Sequence, residues 1–233
     1  MLDVTFLSHS GFLVDDGKRC YVFDYYKDPN NIVWQLAKRG RELWFFISHS
    51  HADHFNPSIT EFDGPQTRYI CHQDVPLEGK VRKCITMRPG QDANLDDVGI
   101  HMYGSTDEGG SFYVKTDTAN IDSDSIFHAG DLNWWHWFGD TLENNADAKR
   151  MAWREFKELE GLSADVAMFP VDNRLEDAME WGAIEFLRRV QVKKAFIPMH
   201  LNGPLWTPSV YFKALFGGVP VWEPQKEGDE CIF

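Results

Sequence analysis

The chain has no CxxC pair, no apolar run of membrane length and no surplus of basic charge, and each absence removes a class of explanation. Its four cysteines, Cys20, Cys71, Cys84 and Cys231, are scattered through 233 residues, which suits free thiols in a reducing compartment better than a disulfide frame. The stretch from Met1 to Phe6 shows neither the basic region nor the apolar core of an export signal, and no later run approaches a membrane span. The expected location is therefore the cytoplasm. Lysine and arginine together number 23 against 36 aspartates and glutamates, a formal net charge of −13. Tracking a phosphate backbone requires the opposite balance, so nucleic acid is not the expected partner. The basic pairs Arg188-Arg189 and Lys193-Lys194 flank a helix end and a strand start, where a solvated face accounts for them. Repeats, low-complexity tracts and linkers are missing too, and the length is ample for one domain, 1–233, with a large core.

What the chain does have is a concentration of metal-ligand side chains. Directly after the apolar run Leu43-Trp44-Phe45-Phe46-Ile47 comes Ser48-His49-Ser50-His51-Ala52-Asp53-His54. Side chains two apart in extended backbone point the same way, so His49 and His51 can chelate one ion as a pair. Asp53 and His54 fall beyond a turn, from which a carboxylate and an imidazole can serve a second ion nearby, as a two-metal hydrolase requires. A histidine-rich polar turn is the competing explanation, and four ligand types at this spacing on a strand exit weigh against it.

Two further strand-like runs end in ligand-type residues: Ser125-Ile126-Phe127-His128-Ala129-Gly130-Asp131 and Lys194-Ala195-Phe196-Ile197-Pro198-Met199-His200. With Val22-Phe23-Asp24 these segments, in this order over most of the chain, resemble the motifs of the metallo-β-lactamase superfamily. The resemblance implies that Asp131 bridges two ions, that His200 joins Asp53 and His54 on the second ion, and that Asp24 supports the ligand loop from behind. It also implies catalysis through Asp53 and Asp131, with zinc the first choice of metal. Near the N-terminus, Phe6-Leu7-Ser8-His9-Ser10-Gly11-Phe12 is similar to the Gly-His-Ser segment of the superfamily branch that includes L-ascorbate-6-phosphate lactonase. In that branch the histidine lies near the metal centre, which makes His9 a candidate for contact with substrate or with a ligand; a turn-stabilising histidine is the alternative.

One position departs from the pattern. Where the family places a third histidine for the first ion, this chain reads Tyr103-Gly104-Ser105-Thr106-Asp107-Glu108-Gly109-Gly110. His101 belongs to the preceding strand-like run rather than to its tip. Asp107, or less favourably Thr106, is the substitute, and a hard oxygen there would make manganese or iron more competitive with zinc. Turn chemistry explains the same residues equally well.

Hydrophobic alternation predicts strands at Asp3 to Leu7, Gly11 to Asp15, Arg19 to Asp24, Glu42 to Ser48, Thr67 to Cys71, Lys83 to Met87, Val98 to Gly104, Ser111 to Thr116, Val166 to Pro170 and Lys194 to Met199. Helical spacing predicts helices over Asn31 to Arg39, Glu143 to Leu159 and Ala178 to Val190. Asp15-Asp16-Gly17-Lys18 reads as a hairpin turn. Strands in both halves with helices outside suit two packed sheets, and the resemblance makes this an α/β αβ/βα sandwich. Within the aromatic block Leu132-Asn133-Trp134-Trp135-His136-Trp137-Phe138, Trp134 and His136 are the expected pocket residues. Arg174, in the polar cluster after Pro170, could meet an anionic substrate or pair with Glu176 or Asp177. The expected activity is metal-dependent hydrolysis of a small polar ester, lactone, amide or phosphodiester. A nuclease of the same superfamily and a non-catalytic metal-binding protein with a degenerate first site are the alternatives.

Overall fold

The computed structural model describes residues 1–201 and 203–233. A first sheet contains β1 (Asp3–Ser8), β2 (Gly11–Asp15), β3 (Arg19–Phe23), β4 (Glu42–Ile47), β5 (Thr67–His72) and β6 (Cys84–Met87). The second contains β7 (Gln91–Leu95), β8 (Val98–Tyr103), β9 (Ser111–Lys115), β10 (Ser125–His128), β11 (Ser163–Pro170) and β12 (Gln191–Met199), and the last strand, β13 (Glu230–Ile232), returns to the first sheet. The strand orders are β13-β1-β2-β3-β4-β5-β6 and β12-β11-β10-β9-β8-β7.

Period-two alternation in β4 explains why the first sheet is covered on both faces. Trp44 and Phe46 enter the apolar cluster between the sheets, while Leu43, Phe45 and Ile47 enter a separate cluster with Val33 of α1 (Ile32–Lys38). Each such buried side chain contributes roughly 1.5–3 kcal/mol relative to exposure. The other outer layer is formed by α2 (Leu142–Glu158) and α3 (Trp181–Leu187), whose Ala152, Phe156 and Phe186 join the cluster of the second sheet. The layers thus run helix, sheet, sheet, helix, as the resemblance implied.

Pairing is parallel from β3 through β6 and from β10 through β12, and antiparallel elsewhere. The segments leaving the carboxyl ends of β3, β4, β10, β11 and β12 carry Asp24, His49, Asp131, Asp172 and His200 respectively. Ligands in open parallel sheets collect at such ends.

Among the described residues, two strands and one α-helix were not anticipated. β7 is polar and largely exposed, β13 is a three-residue edge strand, and α4 (Val210–Phe216) is short. A Ser209 cap nevertheless marks α4, its Oγ accepting from the Phe212 N–H at 3.0 Å. The predicted helix over Ala178 to Val190 is shorter in the structure. A 3-10 turn spans Asn173–Ala178 with Glu176 at φ 53°, and α3 begins only at Trp181. The hairpin at Gly17 forms as read, with φ 88° at that glycine and the Asp15 carboxylate accepting from its N–H at 2.7 Å. Among the described residues, no helix is long and apolar enough to cross a membrane.

Candidate metal centre

Behind the loop that follows β4 lies Asp24, fully buried at the end of β3 with φ 42°. Its carboxylate accepts from the Ser48 N–H at 2.8 Å, the Ser48 hydroxyl at 2.7 Å and His54 Nδ1 at 2.7 Å. Because the Ser48 hydroxyl donates to Asp24, its oxygen is left to accept from His49 Nδ1, 2.9 Å away. Both histidines therefore carry their proton on Nδ1 and turn Nε2 inward, the orientation that metal-binding imidazoles take from partners of this kind. His200, at φ 61°, repeats the arrangement with Asp172 Oδ2, 2.9 Å from its Nδ1.

The inward nitrogens converge on Asp131. Its Oδ1 lies 3.2 Å from His54 Nε2 and 3.4 Å from His200 Nε2, and its Oδ2 lies 3.4 Å from His49 Nε2. One carboxylate thus faces different histidines with its two oxygens. Two donors bound to one ion at about 2.0–2.1 Å sit roughly 3.0–3.4 Å apart, so these separations match edges of a coordination shell. His9 Nε2, His54 Nε2 and Asp131 Oδ1 are buried without a hydrogen-bond partner, a state that is costly unless a cation completes it. The donor set fits a divalent ion.

Among the described residues, three groups each offer donor atoms within 4.8 Å of one another: His9, Asp53, His54 and His200; His49, His54 and Asp131; and His51, Asp107 and Asp131. The structure thus brings together His49, His51, Asp53, His54, Asp107, Asp131 and His200. It adds His9, which sequence reasoning placed nearby without a ligand role. His51 is partly exposed, its Nδ1 3.0 Å from His49 Nε2 and its Nε2 3.3 Å from Glu108. Thr106 is less suited to be a ligand, because its hydroxyl is engaged with the backbone of Asn133, whose N–H it accepts at 2.8 Å. His101 lies in β8 beside Asp92 at 2.8 Å, off the loop tip as expected.

Two glycines let these loops close. Gly109 has φ 74°, and a Cβ there would stand 2.0 Å from Ser48 O; Gly130 has φ 54°, and a Cβ there would meet the Ser48 Cβ at 2.8 Å. His128 supports the same junction from inside, its Nε2 donating to Ser10 O at 2.8 Å while its Nδ1 accepts from the Gly130 N–H at 3.2 Å.

The charges interlock. Burial opposes protonation of His54, but Asp24 and Asp131 outweigh it and raise this imidazole to about 10. Burial and the neighbouring His54 push His49 down to about 4. Burial also opposes ionisation of Asp131, yet the surrounding histidines, His54 first, hold it well below the usual carboxylate range. His9 holds Asp53 low as well, whereas burial, seconded by Asp131, raises Asp107.

Above the donors opens a cavity of about 430 Å³ whose lining includes His51, Asp53, Asp107, Asp131 and His200 together with Trp135, Trp137 and Arg174. The expected pair Trp134 and His136 is not part of this lining. Trp134 packs on Trp153 and Trp181 at 4.7 and 4.8 Å, and His136 also packs on Trp181 at 4.8 Å. The opposite phase of the extended segment faces the cavity, fixed by the Trp135 indole N–H donating to Asp131 O at 2.9 Å. Trp135 and Trp137 lie parallel, 6.2 Å between centroids and 7° between planes. Arg174 pairs with neither Glu176 nor Asp177. Its Nε and Nη2 grip Asp172, with Nη2 2.5 Å from Oδ2, and its guanidinium lies 5.6 Å from the Trp137 centroid. Asp172 therefore joins His200 to the one arginine among the described lining residues.

No family model matches this chain. It is 23% identical over 217 residues to a UPF0173 metal-dependent hydrolase of Heliobacterium modesticaldum, a match covering 87% of this chain and 83% of that protein. Among solved structures it is similar to Igni18, described as a novel metallo hydrolase from the archaeon Ignicoccus hospitalis, with TM-score 0.67, 16% identity and coverage of 100% and 98% of the two chains. The metallo-β-lactamase fold protein YhfI from Bacillus subtilis superposes with TM-score 0.59 at 13% identity, covering 99% and 98%. The chain has the metallo-β-lactamase fold.

Proposed function

We propose that the protein is a metal-dependent hydrolase of a small polar substrate carrying an anionic group, with two divalent ions held by His49, His51, Asp107 and Asp131 on one side and by Asp53, His54, His200 and Asp131 on the other. The observation that carries this reading is the convergence of histidine Nε2 atoms on both oxygens of a buried Asp131 at coordination-edge spacings of 3.2–3.4 Å. The names of similar proteins support the same general activity.

Two bound ions supply Lewis acidity and lower the pKa of water toward neutrality. The chain's own residues do the rest. Asp53, half-exposed at the cavity and held ionised by His9, accepts from water and orients it near the reacting group. Trp135 and Trp137 wall the site and limit solvent, and Arg174, pinned by Asp172, binds an anionic oxygen away from the scissile bond. The cavity is of a size for a small molecule. Zinc suits the imidazole-rich side, and the oxygen of Asp107 makes manganese or iron competitive on the other.

A panel of carboxylated and phosphorylated esters, lactones and phosphodiesters, assayed with zinc, manganese or iron(II), tests the reading. Turnover abolished by a chelator and restored by metal is expected. With the substrate found, Arg174→Met is expected to raise KM with kcat held. Absence of metal-dependent turnover across the panel would contradict the proposal.

A further inference from the structure

We propose that His9, on the turn between β1 and β2, is itself a metal ligand, a donor from the N-terminal hairpin that joins Asp53, His54 and His200. This rests on the metal-centre reading above and extends it to a residue outside the motif set. Donor atoms of His9, Asp53, His54 and His200 lie within 4.8 Å of one another, and His9 Nε2 stands 3.3 Å from Asp53 Oδ2. Its ring centroid is 4.2 Å from that of His200 and 5.6 Å from that of His54. His54 is fully buried, and its partnerless Nε2 is aimed into the same space.

Two other roles fit less well. A substrate contact needs access to the cavity, yet His9 does not line it, and the Nε2 atom is sealed from solvent without a hydrogen-bond partner. A residue serving only to orient Asp53 would donate along a straight N–H to its carboxylate; the 3.3 Å contact is close enough to hold Asp53 low but lacks that alignment. Convergent donor atoms, two of them the buried and partnerless Nε2 atoms of His9 and His54, are what a shared cation requires.

The fold spends structure on placing this turn. The His200 N–H donates to His9 O at 3.2 Å, so the two histidines are clamped through their backbones, one from each sheet. The next residue is held by His128 Nε2 donating to Ser10 O at 2.8 Å. His9 also sits at φ 55°, a left-handed conformation that is uncommon for a non-glycine residue and persists where the surroundings enforce it. Such fixing preorganises a donor. An ion at this position would tie the N-terminal hairpin to the end of β12.

The test uses metal-free full-length protein titrated with cobalt(II), read by its visible ligand-field absorption. Two variants are compared: His9→Gly, which accepts the backbone conformation and leaves room for free imidazole, and His9→Asn, which tolerates it but is too short to reach the ion. The proposal predicts an altered spectrum for the first cobalt equivalent in both variants and at least a roughly 10-fold weaker dissociation constant. Added imidazole should restore the wild-type spectrum in His9→Gly only. The thermal stabilisation conferred by cobalt should also shrink in both variants. Unaltered spectra in both variants would overturn the ligand role while leaving the metal centre intact. Failure of the wild-type protein itself to take up cobalt would overturn the metal-centre reading and this proposal together.

Discussion

His54 and His200 are gripped from behind by the buried carboxylates Asp24 and Asp172, whereas on the cavity side His51 and Asp107 are exposed, His51 leaning on Glu108 and Asp107 held through its backbone N–H, which donates to Ser105 Oγ at 3.4 Å. The residue types on the two sides are alike; the difference lies in what holds them. On the inner side His54 and His200 are buried with their proton position fixed, and only Asp53 is half-exposed. If an ion binds on the outer side as proposed, His51 and Asp107 must be ordered when it arrives, which costs side-chain entropy, while His49 is already held by Ser48. The inner side should therefore hold its ion more tightly, and the outer side should exchange its ion and face the substrate.

The largest effect is expected at Asp131, the one residue serving both sides. Asp131→Ala should lose both ions and turnover together, by more than the roughly 10- to 100-fold in affinity that removal of a supporting partner costs; elemental analysis and kinetics check it. Next comes Asp24→Ala, which strips acceptors from His54 and Ser48 and leaves the buried His54 Nδ1–H without a partner. It should weaken inner-side binding by roughly 10- to 100-fold and destabilise metal-free protein by about 3–5 kcal/mol, read by denaturant unfolding. Asp107→Ala should remove the outer ion while shifting unfolding free energy by no more than about 0.5 kcal/mol, since its side chain is exposed. If inner and outer substitutions weakened both ions equally, the contrast in anchorage would have no consequence.

A smaller effect is set by pH. In metal-free protein Asp24 and Asp131 hold a proton on His54 up to about 10, and an ion must displace that proton to bind. Below that value, affinity should therefore rise by about tenfold per pH unit from this one group, and flatten above it. The same raised value means that the ion pair's contribution to metal-free stability is complete below the ordinary histidine range and fades as pH climbs through about 10.

The outer arrangement of the fold and most of the donors were legible because their signals are local. Alternation in β4 marks a strand covered on both faces, and His49 to His54 occupy one continuous loop. Asp131 and His200 end their own apolar runs. The missing pieces depend on contacts between distant segments. His9, expected near the centre from the resemblance of its segment, is fixed there by a backbone bond from His200, and Asp172 links His200 to Arg174, neither of which spacing along the chain reports. Within the aromatic block, period two allowed either 134 and 136 or 135 and 137 to face the cavity. The phase is set by the Trp135 bond to Asp131 O, a feature of the fold rather than of the pattern. β7 and β13 escaped notice because exposed edge strands need no apolar alternation, and α4 because its seven residues fall just short of two turns.

The most direct test of the account is the metal content of protein purified without chelator and then dialysed against dilute competing chelator. Two divalent ions per chain at the outset, one lost readily and one retained, with Asp107→Ala starting at one, is the predicted result. A wild-type protein holding one ion or none, with the same content in Asp107→Ala and Asp131→Ala, would contradict it.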